Sequence, residues 1–439
     1  MQDSVLKSMF RLGLPAVGAS MFVVVFEIVD MAWVGRLGAE AIAALGAASF
    51  VVWLLRALAQ TIGTGAVSMV SRRAGERDEK QVLRLAADSL TAGVLFTGLM
   101  LLITLPILPF IYGWLGLKPG VALLAREYNL IFMVGLLFIT LMVVAEHVLR
   151  GVGNTRTPMI IMGITLLINV ILDPLFIFYF DMGLAGAAYA TLLAHIVGAI
   201  AMLLSMKYTL SHVHKEKLRL ERRFFVQSLW PMFRIGIPIS VQGVGFALIY
   251  ILLAGVIAHF GTEALAAIGI CHRIEAFPFF VAYGFSMAVA TLVGQNLGAG
   301  RPDKAQASVM LALKIAGIVL GITSVVFYFF PEAILGLFTN NPLVIGYGAD
   351  YLKIIAIFEV FLTFEIVLEG AFVGAGQTLP PLIVGFPLTF LRLPMAWLFG
   401  IVLGMGSKAV WFVIGFSTFL KGSVILVWFL KGGWKQEKV

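Results

Sequence analysis

Twelve stretches of the chain are predominantly apolar for the length of a bilayer crossing. They lie near 10–35, 43–70, 85–112, 123–148, 157–181 and 184–206, and again near 232–258, 265–293, 305–331, 343–370, 380–403 and 407–431. A hydrocarbon core about 30 Å thick is crossed by about 20 residues of helix, so each stretch is long enough to span. Lipid offers no partner to a free backbone N–H or C=O, so helix is the element predicted for all twelve. Glycines punctuate the joints, at Gly113 and Gly116, in Gly151-Val152-Gly153-Asn154 and in Gly374-Ala375-Gly376-Gln377. The pattern predicts an all-α integral membrane protein with twelve transmembrane helices.

Polar positions between the stretches are not evenly charged. Lys7, Arg11, Arg72, Arg73, Arg77, Lys80, Arg84, Arg150, Arg156, the run 207–234, Arg301, Lys304, Lys431, Lys435 and Lys438 fall in alternate loops and at the ends. The intervening loops hold only Arg36, Lys118, Arg126 and Lys408. Positive charge stays on the cytoplasmic side, so both termini are expected there. A multi-pass protein of a cell inner membrane fits these short loops. The net charge of +8 then follows from topology, and no nucleic-acid partner is implied. The basic stretch 207–231 reads as a solvated cytoplasmic linker that also touches anionic lipid headgroups.

Composition agrees. The chain is 61% hydrophobic and 12% charged over 439 residues, where a soluble domain carries about 25% charge. Its 46 glycines suit helices that approach closely in lipid. The single cysteine, Cys271, excludes an internal disulfide and multi-cysteine metal sites. No cleavable signal peptide is expected, because the first apolar stretch runs far past the length of one.

The chain also repeats itself. Arg11-Leu12-Gly13-Leu14-Pro15 matches Arg234-Ile235-Gly236-Ile237-Pro238, 223 residues later. Gly38–Gly46 matches Gly261–Gly269 at the same offset, as do Glu146 and Glu369, Gly151 and Gly374, Gly153 and Gly376, Thr155 and Thr378, Pro158 and Pro381. Arg77 and Lys80 pair with Arg301 and Lys304 at 224, a one-residue slip. Each repeat carries six spans, an even number, so both enter the membrane with the same polarity. The expected architecture is two six-helix bundles related by a pseudo-two-fold axis along the membrane normal. Residues 1–206 form one lobe, 207–231 the linker and 232–439 the other lobe. Two similar lobes suit alternating access.

Acids inside spans cost about 3 kcal/mol at a helix centre, which marks them as functional candidates. Glu27 and Asp30, at i and i+3, share a face of helix 1. Asn169 and Asp173, at i and i+4, share a face of helix 5, with Pro174 directly after. The proline removes a donor and disturbs the helix there. Two carboxylates sharing a dry site cannot both ionise comfortably, so one of them can carry a proton. His147, His195, His259 and His272 are scattered singly and predict no transition-metal site. No Walker motif, HExxH or nucleophile elbow appears, so neither ATP hydrolysis nor another enzyme activity is predicted.

Several of these features together resemble the multidrug and toxic compound extrusion (MATE) transporters. They are Gly13-x-Pro15, the run Val29-Asp30-Met31-Ala32-Trp33-Val34-Gly35-Arg36-Leu37-Gly38, the turn Gly294-Gln295-Asn296-Leu297-Gly298-Ala299-Gly300-Arg301, and the paired turns 151–158 and 374–381. The resemblance covers essentially the whole chain. It implies a secondary antiporter that exports xenobiotic, often cationic and lipophilic compounds in exchange for protons or sodium ions, with no cofactor. One branch of the family keeps its ion site in the N-terminal lobe, on an Asp of helix 1, an Asn-x-x-x-Asp of helix 5 and a Thr of helix 6. Asp30, Asn169, Asp173 and Thr191 match those positions, and hard oxygen ligands of this kind suit either sodium or a proton. The resemblance further implies that helix 1 bends at Pro15, against which a static kink stands as the alternative.

A large apolar cation needs aromatic faces, polarizable sulfur and an acid or two. Glu27, Trp53, Arg56, Gln60, Asn129 and Phe138 are the candidates, with Met21 and Met69 nearby. Arg56 is also placed to neutralise Glu27. Glu146 and Glu369, present in both repeats, are expected to position the cytoplasmic side. Another branch carries a Glu on helix 7, but Gln242-Gly243-Val244-Gly245-Phe246 holds no acid here. The second bundle still holds Glu359, Glu365, Glu369, Arg273, Glu275, Lys353 and Arg392, several of which are expected to form ion pairs inside it or close to its ends. The rival reading is a lipid-linked oligosaccharide flippase of the same superfamily, which needs a cationic cavity. A membrane-embedded subunit without gradient-driven flux is the reading from another class. The chain is expected to act as a monomer on small-molecule substrates in a lipid bilayer.

Overall fold

The computed structural model describes residues 2–114, 117–213 and 222–437. Every regular element among them is helical. In chain order these are α1 (Gln2–Val34), α2 (Ala39–Glu76), α3 (Glu79–Trp114), α4 (Pro119–Gly151), α5 (Arg156–Pro174), α6 (Gly183–Val213) and α7 (Arg222–Ala258). The second half follows with α8 (Thr262–Gly298), α9 (Pro302–Phe329), the short α10 (Pro331–Leu335), α11 (Pro342–Ala375), α12 (Leu379–Phe390), α13 (Arg392–Trp397) and α14 (Ser407–Leu430). Eleven segments of the described residues are long and apolar enough to cross a membrane. The twelfth expected span, α11, is 34 residues long but carries Asp350, Lys353, Glu359, Glu365 and Glu369. Its charges, not its length, set it apart. Leu102, Phe110, Ile171, Tyr179 and Phe329 stand exposed on the outer faces, which water would not tolerate on this scale and lipid does. Residues 214–221, the middle of the basic linker, lie outside the described residues with His214, Lys215, Lys217 and Arg219, as does Lys438.

The repeat is written in the backbone more strictly than in the side chains. Left-handed or extended positive-φ residues recur at one spacing of 223: Gly38 and Gly261, Arg77 and Gly300, Gly153 and Gly376, Asp181 and Gly404, Gly183 and Gly406. Helix starts obey it too, as Ala39 and Thr262, Glu79 and Pro302, Pro119 and Pro342 show. The one-residue slip expected around Arg77 and Lys80 is therefore absent. The αL position that closes α2 falls on Arg77 and the one that closes α8 falls on Gly300, so Arg301 is not the structural partner of Arg77. The disturbance expected at Pro174 is a π-helical turn, Leu175–Tyr179, and its counterpart is Leu398–Val402. The second copy follows Trp397 instead of a proline, so the proline is not what makes the turn.

By contact the chain divides into Gly18–Ile237 and a second unit of Met1–Val17 with Pro238–Val439. The dividing points fall inside α1 and α7. In the first unit α4 is central, packed on α2, α6 and α3, with α5 against α6. Ala44, Leu55, Tyr128, Phe132 and Leu136 form part of its apolar core. The start of α7 lies so close to α2 that a Cβ on Gly236 would strike the Thr61 carbonyl. In the second unit α11 takes the central place, against α8, α14 and α9. Its core includes Leu352, Tyr351, Trp411 and Ile414. The start of α1 meets α8 in the same intimate way, with Val17 on Gly284.

Candidate functional site

The first unit gathers its intramembrane polar groups from four helices. Asn169 and Asp173, one turn apart on α5, are fully buried, and Thr191 of α6 is 4% exposed. The Asn169 amide nitrogen donates to Asp173 Oδ1 at 3.1 Å and to Thr191 Oγ1 at 3.5 Å. Asp30 of α1 meets this pair, its carboxyl in side-chain contact with both Asp173 and Asn169. Three oxygens, Asp30 Oδ1, Asn169 Oδ1 and Asp173 Oδ2, are buried without any hydrogen-bond partner. The helical spacing explains the convergence, since i and i+4 put both α5 groups on one face. Unpartnered buried acceptors are costly, and a cation or a proton is what such a set accepts.

Two further residues join the cluster. Tyr128 of α4, 5% exposed, has its hydroxyl beside the Thr191 side chain. His195, one turn beyond Thr191, has Nδ1 2.7 Å from the Thr191 carbonyl and its ring edge-on to Phe26. The sequence pattern singles out His195 only as an isolated histidine without a metal partner, and does not single out Tyr128 at all. The i, i+4 spacing of Thr191 and His195 was the available signal, whereas a tyrosine on α4 gave none.

The substrate candidates are less concentrated. Arg56 lies 3.9 Å from Glu27, as the pairing expected of them requires, and its guanidinium sits 5.9 Å from the Phe132 ring. Glu27 and Trp53 are exposed, while Gln60, Phe138 and Met21 are half-buried and Met69 is buried. Asn129 is fully buried and donates to the Tyr112 hydroxyl at 2.5 Å. That bond ties α4 to α3. Pro15 lies inside a helix that runs unbroken from Gln2 to Val34. The two repeat acids have different partners. Glu146 is 3.8 Å from Arg150 on its own helix, whereas Glu369 accepts from Gln242 of α7 at 2.8 Å.

The second unit holds a polar network of its own. Glu365 pairs with Lys421 of α14 at 2.5 Å, and the Tyr351 hydroxyl donates to Glu275 at 2.7 Å. Lys353 pairs instead with Glu332 at 2.7 Å. Glu359 is 2% exposed, with Oε1 unpartnered. A small cleft is lined by Gln242, Glu365, Glu369, Pro381, Gly385 and Lys421. Arg392 forms no ion pair among the described residues. It is 2% exposed and donates to Ser417, Tyr250, Thr418 and the Ile414 carbonyl. Lys421 was missed in the sequence, although a lysine deep in the last span was a visible signal. No cluster of three or more His, Cys, Asp or Glu suited to a metal occurs among the described residues.

Known proteins share this chain's length and fold. The MatE family model matches residues 15–175 and again 238–398, two copies 223 residues apart. A probable multidrug resistance protein NorM of Thermotoga maritima is 28% identical, over 99% of this chain and 94% of that protein. The multidrug export protein MepA of Staphylococcus aureus is 24% identical, over 91% of this chain and 90% of its own length. A solved multidrug resistance MATE-family transporter of the MOP superfamily, in an outward-facing conformation, superposes with a TM-score of 0.90 at 24% identity, covering 98% and 97% of the two chains. The likeness extends to the two-lobe, twelve-helix architecture.

Proposed function

The chain belongs to the MatE family, a family of transporters and not of enzymes, and from that premise we propose that it exports lipophilic, often cationic compounds in exchange for protons or sodium ions. The observation that carries the coupling half of this reading is the trio of unpartnered buried oxygens on Asp30, Asn169 and Asp173. An oxygen site with two carboxylates attracts a monovalent cation when one is present and takes up a proton when none is. Helix α1 then has reason to shift with occupancy, because Asp30 is its contribution to the site. A bend at Pro15 is one route for that shift. The names of relatives such as MepA support multidrug substrates.

The drug is held, in this reading, against Glu27, Trp53 and Phe138, with Arg56, Gln60 and Asn129 setting the polar edge. Glu146 and Glu369 position the cytoplasmic ends of α4 and α11. Both termini are cytoplasmic, and the chain works as a monomer in the inner membrane. The flippase alternative loses ground in the second unit, where Lys421 is committed to Glu365 and Arg392 to hydroxyls and a carbonyl. Neither is left free to hold a pyrophosphate.

The test is efflux of ethidium from proteoliposomes under imposed proton or sodium gradients. Flux driven by one gradient and abolished by Asp30→Asn and by Asp173→Asn is expected. Flux indifferent to both gradients would sink the antiporter reading.

A further inference from the structure

The spacing of 223 allows the first unit's ion site to be projected onto the second. Asp30 projects onto Leu253, Asn169 onto Arg392, Asp173 onto Ala396 and Thr191 onto Ile414. Both acids are gone, and a cation stands where the amide was. The surroundings are nonetheless kept. In the first unit residue 195 bonds the carbonyl of residue 191 at 2.7 Å. In the second, Thr418 Oγ1 bonds the carbonyl of Ile414 at 3.3 Å, from the equivalent position. Tyr128 and Tyr351 are equivalent and both buried.

The Arg392 guanidinium fills this place. Its Nε donates to Ser417 Oγ at 2.5 Å, its Nη1 to the Tyr250 hydroxyl at 3.0 Å, and its Nη2 to Thr418 Oγ1 at 2.9 Å and to the Ile414 carbonyl at 3.4 Å. Tyr250 projects onto Glu27. Its ring also lies 5.7 Å from the guanidinium carbon. Its hydrogen bonds all go to neutral oxygens, an aromatic face lies alongside, and Glu275, an acid that acts on its charge, is held by the Tyr351 hydroxyl and lies beyond ion-pair distance. That is a cage for a planar cation, and arginine suits it because its fork of donors is rigid and always charged.

We propose that the second unit retains the first unit's cation pocket with a cation built in, Arg392 being its permanent occupant, so that the chain has one exchangeable site of this kind and not two. Ion traffic at this pair of equivalent positions then drives the first unit only, and the Arg392 cage keeps its loaded arrangement throughout the cycle. This rests on the reading of Asp30, Asn169, Asp173 and Thr191 as the exchangeable site.

The test removes the tether and supplies the cation. Arg392→Ala empties the cage. In the full chain it is expected to melt about 5 °C lower or more and to lose about tenfold or more of ethidium efflux. Millimolar methylguanidinium should restore both, saturably, while leaving the unmodified protein unchanged. Sodium chloride and tetramethylammonium chloride at equal concentration should not. Arg392→Gln, which keeps a hydrogen-bonding side chain in the cage without charge, should be impaired and not rescued. It carries the comparison if the alanine variant cannot be purified. Absence of methylguanidinium rescue, equal rescue by the control salts, or full efflux and stability in Arg392→Gln would each overturn the proposal. Failure of the first-unit reading shows elsewhere, as retained coupling in Asp30→Asn, and leaves the melting-temperature rescue at 392 unaffected.

Discussion

Replacing Asp173 by Asn removes one charge from the α1–α5 site and almost nothing else. The amide is the same size, and the hydrogen bond from Asn169, 3.1 Å long, still finds an oxygen. Two opposite unit charges 4 Å apart attract by about 4 kcal/mol at an effective dielectric constant near 20. Losing one of the two carboxylates therefore weakens monovalent cation binding by up to that amount, about a thousandfold in affinity. A retained amide oxygen reduces the loss, so a hundredfold to thousandfold rise in the half-saturating ion concentration is expected, about 3–4 kcal/mol. In the empty site one of the two carboxyls holds a proton, so there the amide replaces a neutral acid and costs the fold little. The variant should thus fold about as well as the parent. Two measurements on one preparation separate the cases: the melting temperature in ion-free buffer, and gradient-driven ethidium efflux against ion concentration. Efflux lost with stability unchanged or raised supports the site. An unchanged half-saturating concentration, or a fall in melting temperature that tracks the loss of efflux, would refute the reasoning and make the cluster a structural tie between α1, α5 and α6.

Three other outcomes are expected. Gly236→Ala should destabilise by about 1–3 kcal/mol, since its Cβ would meet the Thr61 carbonyl and force α7 off α2; Gly98→Ala, with open space around it, is the matched control and should leave the melting temperature unchanged or slightly raised. Lys421→Met should cost about 3–5 kcal/mol by stranding Glu365 in the bundle, and adding Glu365→Gln should recover most of it in a double-mutant cycle read by thermal melting. In a Cys271→Ala background, Lys408→Cys should react with an impermeant maleimide added outside intact cells, and Lys431→Cys only after permeabilisation; the reverse pattern would invert the proposed topology.

How far the sequence revealed the molecule depends on what kind of residue carried the signal. Spans were legible because lipid forbids polar residues over long windows, and the one helix that escapes a simple hydropathy test, α11, does so because it carries Asp350, Lys353 and three glutamates. The repeat was legible where turns demand particular residues, as at Gly153 and Gly376. It was misread at Arg77, because an arginine can be held in the αL position that a glycine takes at 300, and matching arginine to arginine then slipped the register by one. Asp30, Asn169 and Asp173 stood out as polar groups at helical spacing in apolar spans.

The second unit's cage did not stand out, and the reason is physical. A guanidinium satisfied by Ser417, Thr418, Tyr250 and a backbone carbonyl draws on residue types that are unremarked in any span, and its meaning emerges only when Arg392 is projected back onto Asn169. Unsatisfied groups are the more informative ones. The first unit leaves three acceptor oxygens of one cluster without donors, a cost that a folded chain bears where something arrives to meet them. At the projected position in the second unit the donors are the chain's own. The asymmetry between these two equivalent positions is therefore one of vacancy more than of polarity, and it predicts that an ion added to the protein protects α1 and α5 from hydrogen exchange while leaving α12 and α13 as they were.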